Sequence, residues 1–264
     1  MAFKQKMPDK LEIFDANMHA TVDGSFKDYK ENMPSTISNY KNNFPEEFKL
    51  EGFLHVGLPN IGKYSHKAFQ KISIPENSYR FLAVDKDGEY INFLDNAENI
   101  GVKLHPRLIG LKDFNKIAYQ AINNCKVKRK IFGICSYFGD KKISIDRLLE
   151  FCKIIEYAIV NDVKIILFHG GGLNFEDLFE IYQNNNNVFF DTSFSILRYK
   201  DYGFVKTISS ALSLDYRNIG FGSDFPDFSI SDHINVISEL RKNLDIEVLR
   251  RFLKVNTKSF LCQS

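Results

Sequence analysis

Ile13-Phe14-Asp15-Ala16-Asn17-Met18-His19 is the stretch on which the reading of this chain turns. An apolar entry is followed by polar residues at every second position, the period of a β-strand. Successive strand side chains point to opposite faces, so Asp15, Asn17 and His19 are predicted to share one face and Ala16 and Met18 the other. Three polar, potentially ligating groups on one face of a first strand require a metal, a substrate or each other as partners. What the later strands carry at their ends decides among these.

Outward from that strand, short apolar runs alternate with amphipathic segments of helical length. Strands are predicted at Leu11–Ala20, Gly52–Leu58, Arg80–Val84, Gly101–His105, Lys130–Ser136, Val163–His169, Asn187–Asp191 and Asn218–Ser223. Helices are predicted near Tyr64–Ile72, Glu89–Asn96, Phe114–Asn123, Ile145–Val160, Phe175–Gln183, Tyr202–Leu212 and Ser231–Leu240, with a last one at Ile246–Phe260. In Ile145–Val160 the residues Leu149, Cys152, Ile155 and Ile159 recur at helical spacing. Strands separated by helices pair in parallel through right-handed crossovers. Eight of them close a barrel, so the fold class is α/β and the architecture a (β/α)8 TIM barrel, which takes about 250 residues. No G-x-G-x-x-G follows the first strand, which argues against a dinucleotide site. Thr21–Glu51, with Pro34 and Pro45, is long for one connection and is expected to be an inserted loop and helix over one barrel mouth. The expectation is one domain over residues 1–264.

Of the 264 residues 44% are hydrophobic and 26% charged, and 35 Lys and Arg against 33 Asp and Glu leave a net charge of +2. That balance gives no reason to expect nucleic acid or an anionic membrane as partner. No apolar run approaches about 18 residues, and Met1–Lys6 opens no export signal, so a cytoplasmic location is expected. Cys125, Cys135, Cys152 and Cys262 are too dispersed for a disulfide framework or a four-thiolate zinc site.

In such a barrel, chemistry belongs at the carboxyl ends of the strands. The first strand ends in Asp15, Asn17 and His19; the fourth in Lys103-Leu104-His105-Pro106; the fifth in Cys135-Ser136; the sixth in His169-Gly170-Gly171-Gly172; the seventh in Asp191-Thr192-Ser193; the eighth in Gly222-Ser223-Asp224-Phe225-Pro226. The strand bodies are apolar, so polarity gathers at one end. Asp15 reads either as a tie between strands or as part of the chemistry. Asp224 reads as functional, with Ser229 or Ser231 the better cap for the helix that follows. Gly170–Gly172 reads as a tight turn, or as backbone N–H groups open to an anion.

Phe14-Asp15-x-Asn17-x-His19, Gly101–Pro106, Ile166–Gly172, Asp191–Ser193 and Phe221–Pro226 together resemble, in order, the motifs of the amidohydrolase-2 family of metal-dependent hydrolases and decarboxylases. The likeness reaches Val255-Asn256 near the C-terminus. It implies that His19 matches the second histidine of a His-x-His metal pair, His169 a strand-six histidine and Asp224 a metal-touching, proton-moving aspartate. Two positions depart from the pattern: Asn17 stands for the first histidine and Cys135 for a strand-five histidine. The implied metal set is His19, Asp224, Cys135 and Asn17, holding one divalent ion, zinc before others, or none because of those two departures.

The expected activity is hydrolysis of a small anionic molecule by metal-activated water, with Asp224 moving the proton and His169 steadying the oxyanion. Lys103, His105 and Arg107, or Arg198, are expected to hold a substrate carboxylate. The rival readings are a metal-free binding protein, a decarboxylase or other lyase on the same scaffold, and metal-free acid–base catalysis by Asp224 and His169. The partner is a small molecule, and pairing into a homodimer agrees with the resemblance.

Overall fold

A computed structural model of the chain describes residues 10–26, 34–109 and 114–262. Eight parallel strands form one sheet in sequence order: β1 (Leu11–Met18), β2 (Phe48–Val56), β3 (Tyr79–Ala83), β4 (Asn99–Leu104), β5 (Ile131–Cys135), β6 (Ile165–Phe168), β7 (Val188–Asp191) and β8 (Ile219–Gly220). The sheet curls into a nearly closed (β/α)8 barrel. Backbone bonds from Ala16 N to the Phe221 carbonyl (3.0 Å), Asp224 N to the Asn17 carbonyl (2.8 Å) and His19 N to the Phe225 carbonyl (2.7 Å) join β1 to the segment after β8. Each of the eight sequence-predicted strands is present. β8 is shorter than expected because the chain at Phe221–Phe225 leaves the strand pattern to bond with β1 and, through Phe221 N, with the Phe252 carbonyl.

The helices follow the amphipathic segments, most fully at Phe114–Lys128 and Ile145–Val160, whose buried faces pack on the barrel. Glu89–Asn96 is instead a short 3₁₀ turn, Glu89–Phe93. The terminal helix divides into Ile246–Arg250, a wide π turn at Arg251–Val255 and Asn256–Cys262. The Phe252 carbonyl that accepts from Phe221 lies in that turn. Among the described residues no helix is long and apolar enough to cross a membrane.

Within the barrel, Phe14, Leu54, Phe81, Ile131, Ile166, Phe168 and Phe189 fill the axis, and Phe260 and Leu261 pack against them from the terminal helix. Gly101 and Gly133 make room for this aromatic filling. A Cβ on Gly101 would lie 2.5 Å from the Phe81 ring, and one on Gly133 2.5 Å from the Phe168 ring. Outside the strands a second apolar layer joins Ile13, Met18 and Phe53 to the helices.

The insertion after β1 includes the helix Ile37–Asn42, capped by Thr36, whose hydroxyl accepts from Asn39 N at 3.1 Å. Ser35 Oγ donates to the His19 carbonyl at 2.6 Å, tying the insertion to the end of β1. Residues 27–33 of the predicted loop, and the start of the chain at 1–9, lie outside the described residues.

Candidate functional site

The end of β1 does not keep simple alternation. Asp15 pairs in register with Phe53 and Met18 with His55, so two residues of β1 oppose one of β2 and the strand bulges. The bulge corrects the expectation that Asp15 shares a face with Asn17 and His19. Asp15 turns to the helix side, where it accepts from Tyr40 Oη (2.7 Å), Ser223 N (2.8 Å), Asn17 N (3.0 Å) and the Ser223 hydroxyl. It is a clamp between β1, the insertion and the β8 end. Burial raises its carboxyl to about 6 against those four bonds.

Asn17 and His19 turn to the barrel axis and meet Asp224 there. Asn17 Nδ2 donates to Asp224 Oδ1 and to Ser193 Oγ, both at 2.8 Å. His19 Nε2 lies 3.4 Å from the same Asp224 oxygen, and His169 Nδ1 3.9 Å from it. His169 and Asp224 both hold left-handed backbone, at φ of 69° and 64°. Such strain persists where the surroundings over-determine it and is common at functional sites. Gly170, Gly171 and Gly172 complete the turn after His169, and Gly171 N donates to Ser136 Oγ at 2.7 Å, so the run serves as a tight turn. The helix after Asp224 is capped by Ser229 with Asp232, leaving Asp224 to the mouth.

A cavity of about 240 Å³ opens over this cluster, lined by His19, His105, Arg107, Cys135, His169 and Asp224 among others. His105 Nε2 is buried in its wall and has no hydrogen-bond partner among the described residues. The Arg107 guanidinium stacks over Tyr137 at 4.5 Å. Arg198 is committed elsewhere, in a bidentate pair with Asp140 (3.0 and 2.6 Å). Lys103 lies beneath the cavity floor, fully buried, and is not part of the lining. This differs from the expectation that it holds substrate: one residue pair short of His105 on the same inner face, it is a layer deeper in the barrel.

The electrostatics follow from this crowding. Burial would raise the Asp224 carboxyl, but the charges of His169 and Lys103 outweigh it and keep Asp224 ionised. Burial drives His19 towards the neutral form and Lys103 adds to that. His169 goes the other way: burial favours the neutral ring, yet Asp224 and Cys135 raise its proton affinity. Cys135 is held at about 6, since His169, Lys103 and Arg107 overcome the effect of burial.

Three contributors have no role of their own in the sequence reading. Ser193 Oγ accepts from Asn17, lies 3.2 Å from His169 Nδ1 and donates to Asp191, joining three strands. Tyr40 and Ser223 complete the Asp15 clamp. The polar pair Asp191 and Ser193, two residues apart at a strand end, was a usable signal for the first of these.

The donor geometry bears on the implied metal. His19 Nδ1 is 2.8 Å from the Val56 carbonyl, which can only accept, so Nδ1 carries the proton and the Nε2 lone pair faces inward. That lone pair lies 3.5 Å from the Lys103 ammonium, and Asn17 Oδ1 lies 3.2 Å from the same nitrogen. Among the described residues no group of three or more His, Cys, Asp or Glu side chains is arranged to hold a metal ion. With His19 Nε2 and Asn17 Oδ1 both turned to the Lys103 ammonium, the donor set His19, Asp224, Cys135 and Asn17 does not fit a divalent ion in this arrangement.

Fold and site define a barrel whose mouth presents a carboxylate between two imidazoles. No protein-family model matches the chain, and no curated protein matches its sequence. Solved structures do match in fold. A candidate 2-pyrone-4,6-dicarboxylic acid hydrolase from Pseudomonas putida superposes with a TM-score of 0.63 at 14% identity, over 95% of this chain and 97% of that one. A dihydroorotase from Campylobacter jejuni gives 0.61 at 14%, over 96% and 84%. An amidohydrolase II gives 0.54 at 12%, over 95% and 100%. The chain thus shares the (β/α)8 barrel fold of these structures; at these identities the likeness establishes the fold and no more.

Proposed function

We propose that the protein is a hydrolase of the amidohydrolase type that cleaves an ester, lactone or amide bond in a small anionic molecule. The observation that carries this reading is the Asp224 carboxylate at the cavity floor, 3.4 Å from His19 and 3.9 Å from His169. Water held over the floor attacks the substrate carbonyl, and Asp224 takes its proton. His169, whose proton affinity is raised, donates a hydrogen bond to the developing oxyanion. The proton then passes to the leaving oxygen or nitrogen. Arg107, with His105 beside it in the cavity wall, binds the substrate's carboxylate.

The low proton affinity of Asp224 makes it a weak base while the cavity holds no anion. An anionic substrate takes up part of the positive potential of His169 and Lys103, and so returns basicity to Asp224 as it binds. This coupling favours anionic substrates over neutral ones of the same shape.

The test is a panel of small carboxylated lactones, esters and amides assayed for acid release. Asp224→Asn and His169→Gln should each lower kcat by about 10²–10⁴-fold, the range for a positioned acid or base, with KM little changed. Hydrolysis unaffected by Asp224→Asn, or no turnover of any panel member, would overturn the reading. Carbon dioxide release from the panel would instead identify a decarboxylase.

A further inference from the structure

We propose that Lys103 is the resident cation of this site: its buried ammonium occupies the place where a divalent ion would have to bond, and the protein functions without a metal. The inference rests on the reading of this cluster as the functional site, but not on the reaction proposed for it.

Lys103 projects from β4 into the barrel axis and is fully buried. Burial works against its charge; Asn17 Oδ1, which accepts at 3.2 Å, His19 Nε2 at 3.5 Å and the Phe168 ring face at 4.1 Å are the groups that support an ammonium there. Two acceptors and a π face match the three protons of the group. The two acceptors are also the groups that would have to serve a metal. The Nδ1 proton of His19 is committed to Val56, so Nε2 has one lone pair, and the ammonium takes it. Asn17 turns its NH₂ to Asp224 and Ser193 and gives its oxygen to Lys103. An imidazole at position 17 could not donate to both Asp224 and Ser193 while also accepting from Lys103, so Asn17 and Lys103 form a matched pair.

Because Lys103 does not line the cavity, it is a positioning residue. It holds the Asn17 oxygen, and so orients the amide NH₂ towards Asp224 and Ser193.

The test measures zinc uptake by titration calorimetry and elemental analysis, on protein purified without chelator, and so is independent of any substrate. Wild type and Asn17→His should show no stoichiometric zinc. Asn17→His combined with Lys103→Met, which supplies an imidazole and removes the ammonium, should bind zinc at least about 100-fold more tightly than Asn17→His alone. Circular dichroism establishes that each variant is folded. One tightly held zinc or manganese per wild-type chain would overturn the proposal, as would a folded double variant that gains no affinity. If the double variant does not fold, the wild-type measurement decides alone: a metal-free wild type upholds the proposal and a stoichiometric ion overturns it. Absence of hydrolysis in the panel would defeat the proposed function and leave the zinc result standing.

Discussion

Asp15 offers the sharpest test of how the barrel holds its mouth together. Asp15→Ala removes the acceptor for the Asn17 and Ser223 backbone N–H groups and for the Tyr40 and Ser223 hydroxyls. The hydroxyls can rotate to other partners; the two buried N–H groups cannot. At roughly 1–3 kcal/mol for each orphaned donor, the loss is about 4 kcal/mol. Asp15→Asn behaves differently. Its Oδ1 keeps both N–H donors, and its NH₂ donates to the two hydroxyl oxygens, which reverse their roles, so the cost at pH 7 is about 1 kcal/mol or less. The wild-type carboxyl has its folded-state affinity raised from 3.8 to about 6, burial being the main cause. Between those values the folded protein holds a proton that the unfolded chain has released. The contribution is full below the unfolded value and is lost as pH rises through the folded one, by about 3 kcal/mol. Asp15→Asn lacks that slope. Urea unfolding followed by circular dichroism at pH 4.5 and pH 7 should show the wild type losing stability relative to Asp15→Asn across this interval. Equal losses for the Asn and Ala variants at pH 7, or a wild-type–Asn difference independent of pH, would refute the reasoning.

Other consequences are open to direct measurement. Cys135 should react with iodoacetamide with a midpoint near pH 6, and His169→Gln should move that midpoint up towards the ordinary value of 9.0. Gly222→Ala would place a Cβ 2.3 Å from Asp191 Oδ1 and 2.9 Å from Ser193 Cβ. Its thermal stability should fall by about 1–3 kcal/mol, as for other overpacked sites, and turnover of a panel substrate should fall with it. Asp85 accepts from His66 Nε2 (2.7 Å), Glu89 N (2.9 Å) and Tyr90 N (3.1 Å), and against the effect of burial these hold its carboxyl at about 2. The contribution is present above the unfolded value of 3.8 and is lost as pH falls through about 2. Asp85→Asn should cost about 1–2 kcal/mol at pH 7, discounted for its partial exposure, and urea midpoints should converge as pH approaches 2.

The parts of the site legible in the sequence are those set by local pattern. Polar residues at the ends of apolar strands marked His19, His169 and Asp224, and the short Gly-Ser and Gly-Gly-Gly turns marked where the strands stop. His105 and Arg107 followed from their place after β4, and both line the cavity. Asp15 was misplaced for a physical reason: strict alternation assumes that each residue of β1 opposes one of β2, and the bulge breaks that count between Asp15 and Met18. Arg198, equally basic and equally near a strand end, is taken by Asp140 in a contact 58 residues apart that no local window contains.

By itself, then, the alternation of apolar runs and amphipathic segments determined a ring of parallel strands, because strand and helix periods are properties of neighbouring residues. It also determined which end of the ring is polar. Only the closed tertiary structure decided what that polar end is made of. Lys103 and Asn17 are 86 residues apart in sequence and 3.2 Å apart in space. Whether a lysine is a substrate clamp or a buried counter-charge depends on who lies across the barrel from it, and that is settled when β1 and the β8 end close the ring.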